Sequence, residues 1–163
     1  MTSAASRAGL PLFRVQARTS LLIIVKKEII LNATPAEVWD ALTNPEKTKF
    51  YMFNCKVVTD WKVGSPIVWE GAEDGKEYVK GNVLKFEKDK LLEYITFDPN
   101  SETKDDPENH LSVNMQLVPE GDRTLLKITQ GDFSKVSNAQ KRYDETILGW
   151  EYALGGLKNL IEG

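Results

Sequence analysis

The last quarter of the chain constrains everything before it. Tyr143, Ile147, Trp150, Leu154, Leu157 and Ile161 recur at spacings of four, three, four, three and four. That period places all six on one face of a helix. The pattern predicts a helix over residues 137–161, about 37 Å long at about 1.5 Å per residue, enough to cross a whole sheet. A helix with one apolar stripe must bury it against another layer, so a sheet is expected beneath it.

Three glycines, Gly149, Gly155 and Gly156, interrupt this helix. Each costs about 1 kcal/mol relative to alanine in a helix interior. Three readings account for them: close packing or a bend of the helix, room for a guest molecule, or a cost that is simply tolerated.

The upstream sequence supplies the sheet. Residues 21–31 (LLIIVKKEIIL) are rich in β-branched residues and read as a first strand. Thr34-Pro35-Ala36-Glu37 then reads as a helix start. Thr34 is the N-cap, Pro35 sits where a missing N–H costs nothing, and Glu37 completes a capping box. The helix is expected to reach about Thr43, with Val38, Trp39 and Leu42 on one face. Asn44-Pro45 repeats the signal for a second short helix to about Tyr51.

Strand-like segments follow at residues 54–59, 66–71, 76–87, 90–97, 110–118 and 123–130. Asp74-Gly75 is a hairpin signal between two of them. Leu111, Val113, Met115 and Leu117 alternate with His110, Ser112, Asn114 and Gln116, the mark of a half-buried strand. Consecutive hairpins build an antiparallel meander. The expected class is therefore α+β: a curved antiparallel sheet of about seven strands, two short helices after strand 1, and a long C-terminal helix across the concave face.

Composition narrows the setting. With 163 residues the chain fits one domain, expected over residues 21–163. Residues 1–20 carry Arg7, Arg14 and Arg18 and no acidic residue, and read as a disordered tail. A targeting segment, an expression remnant or a misassigned start would share that composition. The lone cysteine, Cys55, excludes an internal disulfide and suits a reducing, cytoplasmic compartment. A net charge of −3 argues against nucleic acid as a partner. The absence of a long apolar run argues against a membrane-spanning helix.

Several stretches are specific enough to carry a resemblance. They are Ala33-Thr34-Pro35-Ala36-Glu37-Val38-Trp39-Asp40-Ala41-Leu42, Trp61-Lys62-Val63-Gly64-Ser65-Pro66-Ile67-Val68-Trp69, Gly81-Asn82-Val83-Leu84 and Gly149-Trp150 with its leucine-rich tail. Together they resemble the homologue family of the activator of the 90-kDa heat-shock-protein ATPase, a branch of the SRPBCC or START-like superfamily. The resemblance covers residues 24–162. It implies a helix-grip fold with a cavity between sheet and helix. Superfamily members bind lipids, polyketides, hormones or other apolar molecules, and a few are cyclases. The name-giving eukaryotic members are stress-related co-chaperones with an additional N-terminal domain, which this chain is not expected to have.

Catalytic signals are weak. His110, the one histidine, falls on the polar side of its strand and reads as a surface residue. Cys55 reads as a structural thiol, since no histidine base lies near it in sequence. Residues 98–108 are the most acidic stretch but fail as a calcium loop. Thr103 stands where glycine is needed and Asn109 where glutamate is needed. The stretch reads as a solvated loop, or as a lip over a cavity mouth. Glu70, Glu77 and Glu93 sit on strands and would become candidates only if one pointed inward, since burial raises a carboxyl pKa.

No catalytic residue, metal site or cofactor is expected. The leading reading is a non-catalytic binder or carrier of a small apolar ligand, held by Trp69, Tyr78, Tyr94, Leu111, Val113, Met115, Trp150, Leu154 and Leu157. The second reading is a co-chaperone-like interaction module for the 90-kDa heat-shock protein. The third is a cyclase or hydrolase on the same scaffold. The expected oligomeric state is a monomer or weak homodimer.

Overall fold

A computed structural model describes residues 22–163. The predicted tail, residues 1–20, lies outside the described residues. Strand β1 (Val25–Leu31) comes first. It is shorter than the predicted 21–31 because its ladder with the last strand ends at Val25 opposite Gln130. Ile23, just before it, is held instead by Asp132, whose Oδ1 accepts the Ile23 N–H at 2.9 Å.

The capping box then forms as predicted. Thr34 Oγ1 accepts the Glu37 N–H at 3.2 Å, and Glu37 Oε1 accepts the Thr34 N–H at 3.0 Å. Helix α1 (Pro35–Thr43) buries Val38, Trp39, Ala41 and Leu42. Helix α2 (Pro45–Thr48) stops three residues earlier than predicted. Thr48 is the reason: its hydroxyl accepts the Val57 N–H and donates to the Cys55 carbonyl, both at 3.1 Å. Phe53 and Asn54 then take left-handed φ of 55° and 60°, and the chain turns into the next strand.

Strands β2 (Cys55–Val58), β3 (Pro66–Gly71), β4 (Glu77–Glu87), β5 (Leu91–Thr96), β6 (Leu111–Glu120) and β7 (Arg123–Gly131) complete one antiparallel sheet. Its spatial order is β1-β7-β6-β5-β4-β3-β2, so only β1 departs from chain sequence, and the meander closes by pairing it with β7. The sheet curls through β4. A Cβ on Gly81 would lie 1.6 Å from the Ile95 carbonyl oxygen, so only glycine admits that approach. Register shifts at Trp69/Glu70 and Val83/Lys85 bend the same region.

Helix α3 (Ala139–Glu162) lies across the concave face. All six residues of the predicted stripe pack on the core, with Trp150, Leu154 and Leu157 buried. Full burial of a large apolar side chain contributes about 1.5–3 kcal/mol, so these three contacts dominate the docking of α3. Leu154 and Leu157, in its C-terminal half, join the buried cluster of the sheet and α1. Leu92, Met115 and Ile128 face one another across β5, β6 and β7, and Trp39 meets Phe86 edge-on at 5.4 Å.

The helix glycines divide. A Cβ on Gly156 would lie 3.0 Å from Tyr51 Cβ and 3.3 Å from Tyr51 Cα, which is close packing. A Cβ on Gly155 would meet nothing within 4 Å. Gly155→Ala is therefore expected to raise stability by about 1 kcal/mol and Gly156→Ala to lower it. Urea titration of both variants checks the opposite signs.

Candidate functional site

Where Gly149 and Ala153 face the sheet, the helix presents almost no side chain. Beneath them lies a cavity of about 560 Å³, within the size range of small-molecule sites. Its floor is the sheet: Trp69 and Val79 from β3 and β4, Tyr94 and Thr96 from β5, Val113 from β6 and Gln130 from β7. Its roof is Thr146, Gly149, Trp150 and Ala153 of α3. Met52, Phe53 and Cys55 close one side. Phe53 and Tyr78, 57% and 39% exposed, mark the mouth. Asp98, at the edge of the acidic loop, also lines it.

Five residues predicted for the site line this cavity: Trp69, Tyr78, Tyr94, Val113 and Trp150. Leu111, Met115, Leu154 and Leu157 are buried but lie outside its lining, in the packed part of the core. Pattern reasoning separates inside from outside, and these four are inside. It does not separate a filled row of the sheet from a hollow one. Among the residues it missed, Gln130 shares the inward parity of Leu126 and Ile128, which was the available signal. Phe53 comes from an aperiodic turn and carried none.

The polar groups of the lining differ in how far they are committed. Thr96 Oγ1 donates to the Leu111 carbonyl at 3.0 Å, and Thr146 Oγ1 to the Arg142 carbonyl at 2.7 Å. The Tyr78 hydroxyl donates to Asp74 Oδ2. Gln130 Oε1 accepts the Trp150 indole N–H at 2.7 Å. The Tyr94 hydroxyl, on a residue only 2% exposed, has no hydrogen-bond partner among the described residues.

Burial sets the ionisation of this wall. It pushes the Tyr94 phenol well above its ordinary value, so the group stays protonated. Tyr51, which donates to the Ala41 carbonyl at 2.7 Å, is pushed up by burial first and by Tyr94 second. Burial also raises Cys55, with the Asp74 charge adding to it, so this thiol is poorly nucleophilic. Glu93 accepts from Asn114 Nδ2 at 3.0 Å and does not line the cavity, and neither do Glu70 and Glu77. His110 lies away from the cavity, with Nε2 2.6 Å from Asp105 Oδ1 and its ring against Phe97. Among the described residues no cluster of three His, Cys, Asp or Glu side chains could hold a metal ion. No described helix is long and apolar enough to cross a membrane.

A long helix gripped by a seven-stranded curled sheet defines a helix-grip domain. The family model described as "Activator of Hsp90 ATPase homolog 1-like protein" matches residues 32–162. The chain belongs to that family. It is similar to protein ChR145 of Cytophaga hutchinsonii, at 36% identity over 85% of this chain and 93% of that one, with a TM-score of 0.69. It also shares its fold with the Aha1 dimer of Colwellia psychrerythraea, at 19% identity over 86% and 97% of the two chains and a TM-score of 0.68. A further fold relative is DynU16, a protein of the dynemicin biosynthetic locus, at 16% identity and a TM-score of 0.69. That match covers 86% of this chain and 47% of the other. No curated protein matches the sequence.

The two buried phenols predict an alkaline limit. Below about pH 10 both folded and unfolded chains keep these protons. Above it the unfolded chain releases them and the folded chain does not, so stability falls by about 1.4 kcal/mol per pH unit for each tyrosine. Denaturant titrations from pH 9 to 11.5 should show this slope, and Tyr94→Phe should remove about half of it.

Proposed function

We propose that the chain binds or carries a small, largely apolar molecule in the cavity between the sheet and α3. The observation that carries this reading is a cavity of about 560 Å³ walled by Trp69, Tyr94, Val113 and Trp150. A hollow of that size forfeits the packing contacts that a filled core would have, and a guest restores them. Binding without chemistry fits the wall. Its one carboxylate, Asp98, stands without a histidine beside it, and the Cys55 thiol is pushed up by burial. The origin of DynU16 in a biosynthetic locus is consistent with a small-molecule role. The lone cysteine of the chain suits the cytoplasm as its setting.

Gly149 offers the test. A Cβ there would meet only Phe53 Cζ, at 3.8 Å, so a longer side chain enters the cavity. Gly149→Leu should abolish binding of a naphthalene dye such as N-phenyl-1-naphthylamine. It should leave the melting temperature equal or higher, because it also removes a helix glycine worth about 1 kcal/mol. Undiminished dye binding by this variant would place the dye elsewhere and count against the reading. Native mass spectrometry of freshly purified protein would identify a retained guest.

One surface favours an interaction role as the second reading. Phe53 and Tyr152 stack at 5.1 Å while 57% and 66% exposed. Leu148, one turn before Tyr152, is 66% exposed. A co-chaperone-like contact or a dimer, as in the Colwellia relative, would cover this patch. Sedimentation equilibrium and calorimetry against the purified 90-kDa chaperone should then show association that Tyr152→Glu abolishes. A monomer with no heat of binding removes this reading.

A further inference from the structure

Tyr94, Val113 and Gln130 form one row across β5, β6 and β7, each paired directly with the next. Tyr94 and Gln130 thus stand two strand spacings apart, about 9–10 Å between Cα atoms, on either side of Val113. All three line the cavity. The Tyr94 hydroxyl has no partner among the described residues, although its residue is only 2% exposed. The orientation of Gln130 follows from its neighbour. An indole N–H can only donate, so the atom 2.7 Å from Trp150 Nε1 is the carboxamide oxygen. The NH2 group of Gln130 has no partner among the described residues and is left to the cavity.

We propose that the cavity selects a neutral ligand through an acceptor oxygen, a ketone, ester or lactone carbonyl, held over Val113 by the Tyr94 hydroxyl and the Gln130 NH2. This rests on the binding reading above and narrows it to a ligand class. The carboxamide NH2 only donates, whereas the phenol can donate or accept, so an acceptor is the one group that satisfies both. A carbonyl oxygen has two lone pairs and can take both donors at once. A neutral ligand follows from the charges nearby. The one charged residue in the lining is Asp98, at the mouth, which repels anions. Arg142, one turn before Thr146, keeps its Nη1 buried without a partner among the described residues but is not part of the lining. An anionic head would lose its hydration without a cation in the wall to replace it.

Three naphthalene dyes separate the possibilities. The ketone dye 6-propionyl-2-(dimethylamino)naphthalene carries a carbonyl acceptor. N-phenyl-1-naphthylamine has none. Its sulfonated relative, 1-anilinonaphthalene-8-sulfonate, is anionic. Each is titrated against the wild-type chain, Tyr94→Phe, Gln130→Glu and Arg142→Met, with melting temperatures recorded for all four proteins. Gln130→Glu keeps an oxygen for the Trp150 indole and removes the NH2, and titration at mildly alkaline pH keeps its carboxyl ionised, so that no O–H donor takes the place of the amide. The ketone dye should weaken by about five- to tenfold in each of the first two variants, the worth of one hydrogen bond. The naphthylamine should change by less than about twofold, since it has no acceptor oxygen for the pair to hold. Equal losses for both dyes, or unchanged affinity for the ketone, would overturn the proposal. Naphthylamine binding with the ketone dye no tighter would also overturn it, leaving the binding reading intact. Failure of the wild type to bind either neutral dye removes both. Tightest binding of the sulfonate, lost in Arg142→Met, would make this an anion site instead.

Discussion

The indole N–H of Trp150, held by Gln130 Oε1 at 2.7 Å, ties α3 to the sheet where the interior is otherwise empty. Along the rest of the helix, apolar contact fixes the docking, joined by the Lys27–Glu151 ion pair and the Asn32 N–H bond to Glu162. At the cavity there is little for the helix to press against, since Gly149 and Ala153 offer almost no side chain. A directional bond takes over there. It sets the height of the roof above the floor and decides which end of the Gln130 carboxamide faces the hollow.

Two halves of one sheet face thus do different work. The row Leu92–Met115–Ile128 is buried in one cluster with Leu154 and Leu157 of α3 and Val38, Trp39 and Leu42 of α1, and none of the three lines the cavity. The next row along, Tyr94–Val113–Gln130, borders the cavity, with Gly149 and Ala153 in the roof and Trp150 reaching down only to Gln130. Solid packing next to the hollow matters because a cavity keeps its shape only where its walls are held by something else. Tyr51 shows this in detail. Its backbone sits against Gly156 and its hydroxyl donates to Ala41, which pins α1, α3 and the turn that carries Phe53 to one another.

Much of this was legible in the chain. The stripe from Tyr143 to Ile161 required a helix on a sheet. The Thr34–Glu37 box placed the start of α1, and the alternation from Leu111 to Leu117 placed the inward face of β6. These signals are local or periodic, so a linear sequence carries them in full. The three helix glycines posed one question and received three answers: Gly156 admits Tyr51, Gly149 borders the cavity, and Gly155 meets nothing within 4 Å. Their cost is the same in sequence, and only the neighbours brought by the fold tell them apart.

The sequence by itself determined which residues face inward, because burial follows a period of two in strands and 3.6 in helices. That was enough for the helix-grip architecture and for five of the cavity-lining residues, Tyr94 and Trp150 among them. Tertiary structure alone decided which inward residues meet a partner and which meet empty space. It separated Met115 from Val113, two residues apart on the same face, because that difference rests on what crosses above them. It also brought the Trp150 indole to Gln130, on another element, while the Tyr94 hydroxyl met no partner among the described residues, since such partners come from segments whose approach no local pattern encodes.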